Sequence, residues 1–179
     1  MPLRKARSYS KKRVVPFTRV SKKRQKSYIK TVPPQKIMKF NMGNYGLLKK
    51  GKLPHKLTVR SAEKIQIRHN ALESSRQYMN RQMHKEFSGQ FYFIVVPYPH
   101  HIQRENKMIA GAGADRLQTG MQQAYGKSSG KAALLKKGSR IFEVYLRNPT
   151  EVMFARKLIK QIKSKLPGQI TVEETIEKK

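Results

Sequence analysis

The sequence predicts an α+β fold: a two-layer sandwich with two main helices on a mostly antiparallel sheet, preceded by a basic, extended N-terminal arm. Three observations predict it. Short apolar and β-branched runs outnumber the helical patterns and do not alternate strictly with them, which argues against a parallel sheet built from βαβ units. Two segments combine helical periodicity with start signals. Residues 1 to 35 have almost no apolar periodicity, carry three prolines beyond Pro2, and space Tyr9, Phe17 and Tyr28 among the cations. Such a segment cannot bury a core alone, and it reads as an arm that orders on RNA, its aromatics stacking on bases or packing on the domain.

From Lys36 the pattern becomes globular, and residues 36–176 are expected to form one domain. "KIMKF" and "HKLTV" read as short strands, with "GNYGLLKKGKLP" as a loop between them. Asn70 followed by Glu73 predicts a capping box, and Leu72, Met79, Met83 and Phe87 share one helical face, so a helix is expected over 70–87 with Gly89 as its stop. "QFYFIVVPY" is a buried strand. "KAALL" and "RIFEVYL", separated by "KKGS", are expected to form a hairpin. The last helix has the clearest start: Asn148 as cap, Pro149 at the first helical position and Glu151 as box partner. Its stripe is Val152, Ala155, Ile159, Ile162 and Leu166, with Lys157, Lys160, Lys163 and Lys165 largely off it. "LPGQITVEE" ends this helix and adds a final strand.

Charge is the loudest functional signal. Lys and Arg number 40 against 10 Asp and Glu, a formal net charge of +30. The first acidic residue is Glu63, and 19 of the basic residues lie at or before Arg60. Such a field attracts polyanions, and phosphate contacts supply affinity without sequence readout. A membrane surface would need a long amphipathic helix that the basic region lacks, and no run reaches the roughly 20 apolar residues of a membrane span. With no Cys, disulfides and thiolate metal sites are excluded, and a soluble, cytoplasmic protein is expected.

Catalytic chemistry finds little support. Gly111 and Gly113 fill the first two places of a dinucleotide fingerprint, but the third falls on Arg116. The five histidines show no metal-ligand spacing, and adjacent His100 and His101 on an extended segment would point to opposite sides. Glu105 and Asp115 have cations at Arg104, Lys107 or Arg116 close by, and an ion-paired carboxylate is a poor general base. The chain is expected to be no enzyme and to need no cofactor.

The segments "SYIKTVPPQKIMKFNMG", "QIRHNALE", "PHHIQRENKM", "GAGADR" and "GMQQAYGK" together resemble one family, the archaeal-type large ribosomal subunit protein "ten-e", a relative of the bacterial L-sixteen protein. The resemblance spans most of the chain. It implies a sandwich of the α/β-hammerhead type and a structural role in the large ribosomal subunit. It further implies binding to 23S-type rRNA near the peptidyl transferase centre and the aminoacyl-tRNA path, with tRNA, 5S rRNA, neighbouring large-subunit proteins and late assembly factors as partners. In this family the segment at about 104–127 projects as a flexible loop toward the catalytic centre and the tRNA acceptor arms. Its candidate residues here are Arg104, Lys107, Gly111, Gly113, Asp115 and Arg116, the glycines giving a slim backbone between cations. Candidate rRNA contacts are Arg4, Lys5, Arg7, Lys11, Lys12, Arg13, Arg19, Lys22, Lys23, Arg24, Lys26 and Lys30 in the arm. In the domain they are Arg68, His69, His100, His101 and Lys127. One departure is that family members often carry Arg and Phe where this chain has Gln122 or Gln123 and Tyr125. Charge alone also permits a DNA-compacting, chromatin-type protein, though no helix-turn-helix, zinc-finger or zipper signature occurs.

Overall fold

A computed structural model describes residues 15–19, 29–106 and 126–176. The described residues form an α+β fold with mostly antiparallel pairing, as the sequence predicts. The elements in order are β1 (Asn41–Gly43), α1 (Tyr45–Lys49), β2 (His55–Ser61), β3 (Ile65–Arg68), α2 (His69–Phe87), β4 (Tyr92–Val95) and β5 (His101–Glu105). They continue with β6 (Lys127–Leu135), β7 (Arg140–Leu146), α3 (Pro149–Ile162), a 3-10 turn (Lys163–Lys165) and β8 (Ile170–Ile176). Five strands make one sheet, in the order β1-β4-β7-β2-β8, and three make a second, β3-β6-β5. The main core joins both sheets and both long helices, and includes Leu57, Ile67, Leu72, Met79, Phe93, Phe142 and Ile159; a smaller cluster gathers Leu53, Tyr92 and Tyr145.

Several local expectations hold. Glu151 closes the start of α3, its carboxylate accepting from the backbone N–H of Arg147 and of Asn148. The stripe Val152, Ala155, Ile159, Ile162 and Leu166 is buried, whereas Lys157, Lys160 and Lys163 are exposed. Leu72, Met79 and Met83 of α2 are fully buried.

Four expectations need correction. Residues 36–40 are not a strand; pairing starts at Asn41, and Phe40 contributes only its carbonyl, which accepts from the Val95 N–H at 2.8 Å. The lysine-rich loop contains α1, because the Asn44 side chain accepts from the Leu47 N–H and so caps one turn of helix. The predicted capping box at Asn70 is absent. The chain enters α2 directly from β3 with Arg68 in the cap position, and Glu73 turns to Arg76 and Gln77 instead of back to the helix start. α2 does stop at Phe87 as expected, with Ser88 and Gly89 behind it both at positive φ.

The fourth correction concerns topology. β6 and β7 do not pair with each other: β6 lies between β3 and β5, and β7 lies between β4 and β2. Both β2→β3 and β6→β7 cross from one sheet to the other at the same corner, so the two segments form one long bent ribbon. The Ser61 N–H donates to the Ser139 carbonyl and the Gly138 N–H to the Ser61 carbonyl, at 2.9 and 2.7 Å. "KKGS" is therefore a corner at which strands switch sheets, not a reversal. Gly138, with φ near +81°, supplies the left-handed step that makes the bend.

Candidate nucleic-acid interface

Most described carboxylates are engaged within the fold. Glu73 pairs with Arg76, Glu143 with Arg140 and Lys56, Glu173 with Arg60, and Glu174 with Arg156 and His55. Apart from Glu73 and Arg76, these groups lie on β2, β7 and β8 or on the α3 face beside them. The exposed pairs contribute little stability. Their larger effect is to leave the other surfaces strongly positive, including Lys49, Lys50 and Lys52 around the end of α1.

The three-stranded sheet organises a second cationic region. β3 ends at Arg68, and His69 opens α2, so strand and helix place two adjacent side chains over the middle of β6. Gly130 lies beneath them. A Cβ there would meet His69 Nε2 at 3.2 Å and the Arg68 guanidinium at 3.5 Å, so a side chain at this position would crowd the imidazole. Lys131 follows on β6, and Lys36 acts on the same imidazole from the segment preceding β1. Gln66 on β3 and Gln103 on β5 are buried on either side of β6 and joined by a hydrogen bond of 3.2 Å.

His69 is 3% exposed and its Nδ1 has no hydrogen-bond partner. Burial, then the charges of Lys36, Arg68 and Lys131, hold its pKa at about 4. The ring is neutral at physiological pH, so it meets any phosphate as a hydrogen-bonding group rather than a cation. The unfolded ring titrates near 6.5, so above that pH its protonation has no effect on folding. As pH falls through this value towards about 4 the unfolded chain binds the extra proton, and stability is lost by about 3 kcal/mol at most. Urea unfolding between pH 7 and 4 is expected to show this loss, and His69→Gln should remove that part of the slope.

At the edge of the same sheet, Phe17 docks on β5. Its carbonyl accepts from the Ile102 N–H, and its own N–H donates to His101 Nδ1, both at 3.0 Å. The proton of a neutral His101 then sits on Nε2. The Phe17 ring lies 5.6 Å from the His101 ring, and the Arg104 guanidinium sits 5.5 Å from the Phe17 centroid. Phe17 thus packs on the domain, one of the two roles expected for the arm aromatics, and shields an edge strand from foreign pairing. His100 is exposed while His101 is buried, the opposite orientations expected of neighbours on a strand.

Arg104 and Lys127 are strand residues, opposite Ser128 and Glu105 respectively. Just beyond, Gly126 has φ near +81°, and a Cβ there would meet the Glu105 backbone at 2.5 Å. The two chain ends are therefore pinched together at the base of residues 107–125. Those residues lie outside the described ones, and with them Lys107, Gly111, Gly113, Asp115, Arg116, Gln122, Gln123 and Tyr125. So do Arg4, Lys5, Arg7, Lys11, Lys12, Arg13, Lys22, Lys23, Arg24 and Lys26; Arg19 and Lys30 are described and exposed.

The structure gathers Arg68 and His69 into one cluster, and His101 and Arg104 into another. Lys36, Lys131 and Gly130 join the first cluster without having been singled out by the sequence as contacts. Its one sequence signal is a glycine inside a strand pattern. Among the described residues no group of three or more His, Cys, Asp or Glu could hold a metal ion, and no helix is long and apolar enough to cross a membrane.

Comparison with known proteins bears on what this surface binds. The family model described as "Ribosomal protein L16p/L10e" matches residues 16–173. The chain is 43% identical to the large ribosomal subunit protein uL16 of Staphylothermus marinus over 168 residues, covering 93% of this chain and 90% of that protein. It is 41% identical to the uL16 of Sulfolobus acidocaldarius over 176 residues, covering 97% and 94%. Against the uL16 of Methanococcus maripaludis the identity is 39% over 168 residues, covering 93% and 91%.

Proposed function

The chain belongs to the ribosomal protein L16p/L10e family, and from that premise we propose that it binds 23S-type rRNA beside the peptidyl transferase centre and the aminoacyl-tRNA path. Its role is structural and ribosomal, and it is not an enzyme. In this reading the arm at 1–35 neutralises rRNA phosphates, while the segment at about 104–127 reaches toward the acceptor arms of tRNA. Docking of the chain completes the large subunit late in assembly and helps position tRNA. Neighbouring large-subunit proteins, 5S rRNA and assembly factors are further partners.

The observation that carries the reading is similarity to large-subunit proteins along nearly the whole chain, basic arm included. The charge distribution supports it. Phosphate binding needs cations not already held by carboxylates, and no acidic residue precedes Glu63. The test is sedimentation of native lysate through sucrose at about physiological salt and again at high salt. The chain should travel with large subunits and whole ribosomes and survive moderate salt, and the segment 104–127 should then crosslink to tRNA. Migration with chromosomal DNA, or as free protein, would overturn the reading in favour of DNA compaction or another role.

A further inference from the structure

We propose that the start of α2 is a seat for a single backbone phosphate of structured RNA, formed by Arg68, His69, Lys36 and Lys131 above Gly130. The proposal rests on the rRNA-binding reading and adds to it a defined place and geometry. α2 is 19 residues long, and its first turn contains no acid and no side-chain cap, so its first N–H groups and their positive end of the helix dipole are open to an anion. Glu73, one turn further on, is held by Arg76 and does not reach back to fill this position.

A helix start alone would not make a site. The second observation is the His69 ring, buried at the first helical position among three cations, with Nδ1 lacking any partner. A buried ring nitrogen without a hydrogen bond is costly, and a phosphate oxygen would offset that cost by accepting from the imidazole N–H. The third is Gly130, whose missing side chain lets the His69 ring and the Arg68 guanidinium close down on β6. A phosphate suits this arrangement better than a carboxylate. Its several oxygens can accept at once from a guanidinium, an imidazole and helix N–H groups that approach from different directions.

The test measures the affinity of the full chain for large-subunit rRNA across a salt series, with unfolding temperature recorded for every variant. Gly130→Ala leaves charge unchanged and presses the new methyl against the His69 ring, displacing it from its place beside Arg68; it is expected to weaken binding about tenfold. Arg68→Gln with Lys131→Gln should do the same and flatten the salt dependence by about 0.9 in log–log slope, as expected when one fewer phosphate is neutralised. Lys36→Gln, at an exposed position, should also weaken binding, and its readout does not depend on tolerance of a buried change. The charge-matched control is Arg60→Gln with Arg156→Gln on the opposite, acid-paired edge. Equal losses in the control and in the Arg68 and Lys131 variant, with Gly130→Ala unaffected, would overturn the seat and leave only bulk attraction. Failure of the wild-type chain to bind the rRNA at all would instead overturn the functional reading beneath it.

Discussion

Replacing Phe142 with alanine is expected to destabilise the fold by about 3–5 kcal/mol, the range for emptying a fully buried aromatic site. Phe142 sits on β7, opposite Val95 on one side and Val59 on the other, and its ring packs against Phe93 with centroids 5.6 Å apart. Hydrogen-bonded strands flank it, and it belongs to the core that both long helices share, so the surroundings can collapse little into the void. At about 2–4 °C per kcal/mol for a chain of this size, the thermal midpoint should fall by roughly 6–20 °C. Met153→Ala on the outer side of α3, where the side chain is 64% exposed, should move it by less than about 2 °C. Similar shifts for the two variants would mean that β7 is not the centre of the core.

The central place of β7 could not be read from its sequence, although its existence could. "RIFEVYL" announces a buried strand by composition, but composition does not choose partners. The turn-like "KKGS" suggests the nearest partner, "KAALL", whereas the real partners are β4 and β2, both far earlier in the chain. β3 is hidden for a different reason: four residues that run directly into a helix leave no turn signal between two periodicities. α3 is fully legible because cap, proline and box glutamate all act locally and agree. At the interface the same division applies. The abundance of cations is compositional and visible, as is Arg68 next to His69, but Lys36 and Lys131 are brought to that ring by tertiary packing, and only a glycine interrupting a strand hints at it.

The misread start of α2 leads to the second large effect. Glu73 and Arg76 are 8% and 9% exposed and joined by two hydrogen bonds, of 2.6 and 2.8 Å, while Gln77 donates to the same carboxylate. The hydrogen bond from Arg76 holds the Glu73 carboxyl below its ordinary range, burial opposing it, and the Arg76 guanidinium is held correspondingly high. Glu73→Ala would leave a buried guanidinium unpaired and is expected to cost about 3–5 kcal/mol. Glu73→Leu combined with Arg76→Met, which removes both charges and keeps the volume, should recover most of that loss. Equal losses in the single and double variants would show that packing, not the unpaired charge, sets the cost. Acid should act in the same direction as the single variant: this stabilisation is complete above the ordinary carboxylate range and is lost as pH falls through the lowered value.

The pair also reaches beyond stability. Glu73 accepts a backbone hydrogen bond from Met38, and Arg76 lies 3.2 Å from the Met42 sulfur, so together they fasten to α2 the segment that carries Lys36. Simple electrostatics says that deleting a carboxylate from so basic a chain should strengthen RNA binding. If the pair instead serves to place Lys36 at the start of α2, Glu73→Ala should weaken rRNA binding below the melting transition even though the net charge rises. Affinity measured at one salt concentration for Glu73→Ala and for the surface variant Glu86→Ala, which makes the same change in charge at an exposed position, decides between the two.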